Sequence, residues 1–229
     1  MSCSGPALVH LASSFVGAHE DPPGSNTQPR VDAAIGTRTV RNGKWIDVKG
    51  LEWCARFASG MAWLCAGGVD RALSWTPEAY RAGAEPLPFG MRAAVSELVA
   101  DAVASGAWRS RESGYVPSPG DLAVFRRGGH DPTTGGLGHV AIVEQFAGPP
   151  YVTVGGNESD EVRMTQRDLT KETDGNELVG WIASGLSQAP SVPGKIPSAA
   201  VAGLSMAAVV TLLVGVGAGW FVARKVALG

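Results

Sequence analysis

The hydrophobic period of the chain changes near residue 120, and that change decides what it can fold into. Before it, apolar residues recur at helical spacing. Leu8, Leu11 and Phe15, with Ala12, share one face, and Cys54, Ala58, Met61 and Cys65 fall on a second stripe. Gly67-Gly68 closes that second helix, and MRAAVSELVADAVAS (91–105) predicts a third, stopped at Gly106. After the change, DLAVF (121–125), HVAIVEQF (139–146), YVTV (151–154), VRMTQ (162–166) and ELVGWIA (177–183) are short and rich in β-branched residues. The turn PSPGD (117–121) feeds the first, and Gly148-Pro149-Pro150 separates the second from the third. Helices first and an antiparallel sheet afterwards predict an α+β fold.

The 229 residues divide by composition. Residues 1–186 read as one folded domain and 187–198, SQAPSVPGKIPS, as a Pro- and Ser-rich linker. Residues 199–223 carry no charge, and a short basic tail, 224–229, begins with Arg224-Lys225. As a helix the uncharged stretch measures about 37 Å, against the roughly 30 Å of a bilayer core, so it predicts a transmembrane helix. Positions 199, 203, 207, 211, 215, 219 and 223 are all Ala, Gly or Thr. That small-residue ridge suits helix–helix self-association in a lipid membrane. The opening twenty residues lack the basic start and continuous apolar core of a signal peptide. Residues 1–190 hold 16 basic against 21 acidic side chains and no basic arm, which argues against a nucleic-acid partner. Three cysteines make no disulfide framework. Cys54 and Cys65 on one helix stand about 16 Å apart, so the thiols are expected to be free.

Chemistry concentrates in three places. In EWCARFASG (52–60) Cys54 stands at the first turn of a helix, where unpaired N–H groups and the dipole favour a thiolate. His139 opens the strand GHVAIVEQF, and Asn157 follows the next strand in VTVGGNES. If those strands pair across the turn near 148, position 139 faces a residue close to 157. An imidazole to take the thiol proton and a carboxamide to hold the ring are what a cysteine hydrolase needs. Each residue also has a plainer reading: a core cysteine, a locally bonded strand-end histidine, a turn asparagine. Asp121 reads as a turn former and Trp53 as core. His10, His19, His130 and His139 lack metal-ligand spacing, which disfavours a zinc amidase.

Together EWCARFASGMAWLCAGG, PSPGDLAVF, GHVAIVEQF and VGGNES resemble the CHAP domain (cysteine, histidine-dependent amidohydrolase/peptidase), and LASSFVGAHEDPPGSNTQPRVD resembles the segment preceding the cysteine in one branch. The resemblance spans about residues 8–183. It implies a papain-like fold and a peptidoglycan hydrolase of the phage lysin type, either an endolysin or a virion-associated lysin. The implied nucleophile is Cys54 and the implied base His139. Members place a Glu and an Asn after the third strand. Asn157 matches the Asn, but Gly155 stands where the Glu aligns, so the orienting role falls to Asn157, with Glu158 second. Some members bind calcium before the cysteine; RNGKWIDVKGLE offers only Asp47 and Glu52, so no metal or other cofactor is expected. The expected partners are bacterial peptidoglycan and, through 199–223, the membrane of a virion or host cell, with the catalytic domain facing the wall. The alternative is a membrane-anchored structural or wall-binding virion protein that kept the fold and lost catalysis, for which the missing Glu is the main support.

Overall fold

The computed structural model describes residues 3–42, 44–146, 150–168 and 176–186, all within one compact unit. The linker 187–198, the transmembrane helix 199–223 and the tail 224–229 lie outside the described residues. Among those described, no helix is long and apolar enough to cross a membrane.

Helices pack against antiparallel strands, as the period change predicts. Helix α1 (Gly5–Ser13) starts at Ser4, whose side chain accepts from Ala7 N–H, and buries Leu8, Val9 and Ala12. Leu11 and Phe15 are only partly buried. Helix α2 (Pro29–Ile35) follows, and then a hairpin of β1 (Arg38–Arg41) and β2 (Lys44–Asp47). Asn42 turns that hairpin in the left-handed region that asparagine tolerates. Helix α3 (Cys54–Ala66) is buried on every side from Cys54 to Trp63, because α1, α2, β5 and β6 all pack on it. Its Arg56 is 2% exposed and pairs with Asp32 at 2.7 Å, so the interior charge is compensated.

After the short α4 (Pro77–Arg81), helix α5 covers Val95–Ser105, four residues shorter than predicted at its start. Tertiary bonds hold residues 91–94 out of the helix. Met91 C=O accepts from Val40 N–H, Arg92 N–H donates to Ser59 Oγ, and the Arg92 guanidinium forks onto Asp101 at 2.6 and 2.9 Å. Gly106 ends α5 in the left-handed conformation.

The remaining strands are β3 (Trp108–Ser110), β4 (Leu122–Arg126), β5 (Gly138–Gln145), β6 (Tyr151–Gly155), β7 (Arg163–Arg167) and β8 (Leu178–Ile182). They form one antiparallel sheet in the order β3-β8-β4-β5-β6-β7. Asp121 is more than a turn former. It is fully buried, and its carboxylate accepts from Ser118 N–H, Tyr115 O–H, Ser184 N–H and Ser184 O–H. It thereby ties the turn before β4 to the chain leaving β8.

One expectation is corrected. Cys3 and Cys65 form a disulfide, with Cα atoms 5.3 Å apart, and only Cys54 is free. Intrahelical spacing excludes a Cys54–Cys65 bridge but says nothing of Cys3. Cys3 stands just ahead of α1, and the packing of α1 on α3 carries it to the far end of α3.

Candidate active site

Cys54 is the first residue of α3. Trp53, before it, supplies no side-chain cap, so the first-turn N–H groups keep their donor capacity at the cysteine. The Trp53 indole is fully buried and donates to Glu20 Oε1 at 2.7 Å. The other Glu20 oxygen accepts from Asn26 N–H at 2.9 Å, so the loop after α1 is tied to the residue beside the cysteine. Cys54 itself is 2% exposed, with Sγ 4.0 Å from Gly138 O at the start of β5.

His139 is the second residue of β5, opposite Phe125 of β4. Its neighbours are Gly138, whose carbonyl lies 4.0 Å from Cys54 Sγ, and Glu158, whose Oε1 lies 3.1 Å from Nε2. Burial works against charge on this ring. The hydrogen bonds to Cys54 and Glu158 outweigh it, and the ring's pKa lies above the ordinary 6.5. Burial likewise opposes charge on Glu158. The hydrogen bond from His139 and the Arg167 charge prevail, and hold the carboxyl below the ordinary 4.5.

The hairpin register agrees with the sequence argument. Ala141 pairs with Gly155, so two residues further on 139 stands opposite 157. Yet Asn157 does not meet the ring. It takes φ 58°, and its side-chain amide reaches Asn26 Oδ1 at 3.5 Å. The left-handed step at Asn157 sends the chain back over the strand end. A Cβ placed on Gly155 would lie 2.1 Å from Glu158 Oε1, so the carboxylate occupies space that only glycine leaves open there. The turn is held close to α3, since a Cβ on Gly156 would lie 2.6 Å from Phe57 and 2.7 Å from Trp53.

Two groups beyond the sequence candidates complete the site. Thr165 Oγ1 donates to Glu158 Oε2, and Arg167 Nη2 donates to Glu158 Oε1 at 2.5 Å. They lie two apart on β7, and that alternation is the only sequence signal that could have paired them. A cavity of about 300 Å³ opens on the site, lined by Phe125, Arg127, His139, Asn157, Glu158 and Arg167 among others. A larger cavity, about 540 Å³, runs along β3 and β8 and is lined by neither His139 nor Glu158. Of the two acids before the cysteine, Glu52 pairs with Arg127 at 2.6 Å, and Asp47 accepts from Lys49 N–H. The other histidines, His10, His19 and His130, are exposed and away from the ring.

A buried free thiol at a helix start, an imidazole on the adjoining strand and a carboxylate behind the imidazole are the groups that a cysteine–histidine hydrolase uses. Residues 46–157 match the family model of the CHAP domain. The match takes in Cys54, His139 and Asn157, and it supports a relationship to the peptidoglycan amidases and peptidases of that family. No curated protein and no solved structure matches the chain.

Proposed function

We propose that the protein cleaves an amide bond of bacterial peptidoglycan by cysteine nucleophilic catalysis. The observation that carries this reading is the line from Cys54 through His139 to Glu158. With Nε2 engaged by Glu158, Nδ1 is the nitrogen left to take the thiol proton. The thiolate attacks the amide carbonyl, and the developing oxyanion is met by N–H groups at the start of α3, that of Cys54 included. Collapse breaks the C–N bond while the imidazolium gives its proton to the leaving amine. Water, deprotonated by His139, then attacks the thioester and restores the thiol. In this mechanism Glu158 holds the ring and stabilises the imidazolium, and Asn157 shapes the turn that delivers it.

The reading of a fold without catalysis loses its main support, because the carboxylate missing at Gly155 is supplied from Glu158. A zymogram on purified walls tests the proposal. The full chain should clear the wall and Cys54→Ala should not; equal clearing by both would overturn it.

The setting is also proposed. The Cys3–Cys65 disulfide suits an oxidising compartment, which favours work on the wall side of a membrane. The uncharged stretch 199–223 is proposed as the anchor, tested by carbonate extraction of membranes: recovery in the soluble fraction would refute it. A phage lysin rests on the family resemblance, and neighbouring holin, capsid or tail genes would support it.

A further inference from the structure

We infer that Arg167 is the positioning residue that locks the Glu158 carboxylate against His139; this rests on the reaction proposed above. Glu158 sits in a turn whose neighbours Asn157, Ser159 and Asp160 all have φ between 55° and 64°. No strand or helix fixes the direction of its side chain, so the lock comes from β7. Arg167 Nη2 donates to Glu158 Oε1 at 2.5 Å, and its Nε donates to Thr153 Oγ1 on β6 at 2.9 Å. The guanidinium carbon lies 4.3 Å from the centroid of the Phe125 ring, and that ring lies 6.1 Å from the His139 ring. His139, Glu158, Arg167 and Phe125 thus close a ring of four side chains. Arginine suits the place because a planar fork can make two directed bonds and stack at the same time, which an ammonium cannot.

Among the described residues, the charged groups around the carboxylate are few. His139 faces it from β5 and Arg167 from β7, and Cys54 of α3 faces His139. Arg126 and Arg127 line the same cavity but pair with Asp131 and Glu52. Among the described residues, Arg167 is therefore the permanent positive charge in contact with Glu158. It keeps a buried carboxylate ionised at a pH where His139 must be held as imidazolium. Without it, Glu158 takes up a proton at higher pH, and a neutral carboxyl no longer stabilises the imidazolium.

The test uses the full-length chain with Arg167→Met, Arg167→Lys and Glu158→Gln. For Arg167→Met, kcat should fall roughly 10- to 100-fold with little change in KM, and the acid limb of kcat/KM should move to higher pH. Arg167→Lys should recover part of the loss. In a Glu158→Gln background Arg167→Met should cost nothing further, because the group it positions is gone. A readout independent of activity is the Glu158 carboxyl titration followed by carbon NMR, which should move to higher pH in Arg167→Met. An unmoved titration, or additive losses in the double variant, would overturn the inference. A moved titration with Cys54→Ala as active as the parent would leave the lock standing and refute the proposed reaction instead.

Discussion

Replacing Glu158 by Gln keeps the shape of the side chain and removes its charge, which isolates what the carboxylate does for His139. The contact is 3.1 Å long, and the two side chains are 14% and 12% exposed, so solvent screens it little. Full Coulomb attraction at that distance comes to about 5 kcal/mol at an effective dielectric of 20. The net effect is smaller, because Arg167 shares the same oxygen and both groups lose hydration. A buried charge-assisted hydrogen bond contributes about 1.5–3 kcal/mol, so kcat/KM should fall roughly 10- to 150-fold. The pH profile carries a sign. The folded His139 pKa is raised by Cys54 and Glu158 against burial, so imidazolium persists above 6.5, and the alkaline limb should lie above that value. In Glu158→Gln one support is lost and the alkaline limb should move down. Initial rates on solubilised wall fragments across about pH 4 to 9 measure both. Parent rates with an unshifted alkaline limb would refute the role given to Glu158.

The remaining predictions concern the scaffold. Cys3→Ser opens a loop spanning 62 residues and should cost about 4 kcal/mol, a drop in Tm of about 10 °C by calorimetry that reductant abolishes. An unchanged Tm under oxidising conditions would mean the bridge does not form. Asn157→Ala removes asparagine's tolerance of the left-handed region at a cost of about 1–2 kcal/mol, and should reduce activity less than Glu158→Gln; Asn157→Gly should restore it. A greater loss in Asn157→Ala than in Glu158→Gln would return the orienting role to Asn157. Gly155→Ala drives a Cβ into Glu158 Oε1 and should match Glu158→Gln in activity, with a lowered Tm because the buried partners of the carboxylate are left unpaired; parent activity would refute the fit.

The sequence revealed what periodicity and turn chemistry control. The start of α3 at Cys54 and the strands from β4 to β8 lie within a residue or two of their predicted positions, because each carries a local pattern and most are bounded by turn residues. The hairpin register followed from those bounds alone. What stayed hidden depends on distant contacts. Helix α5 begins late because Arg92 is bound by Asp101 and Ser59. Cys3 finds Cys65 only through helix packing. That Glu158 rather than Asn157 meets the His139 ring turns on one left-handed residue and the absence of a Cβ at Gly155, a three-dimensional fit that spacing does not encode. Arg167 lies on an edge strand whose alternation marks it as surface, yet the turn from β6 folds onto it.

The central claim is that Cys54 forms a covalent acyl intermediate with the wall peptide. Because Cys3 and Cys65 are bridged, Cys54 is the single free thiol of the chain. Acid quenching during turnover, followed by intact-mass and peptide mass spectrometry, should find one acyl adduct on the peptide carrying Cys54. The adduct should be absent from Cys54→Ala and should accumulate slowly in His139→Ala. Turnover with no adduct at Cys54, in a protein that Cys54→Ala leaves active, would contradict the account.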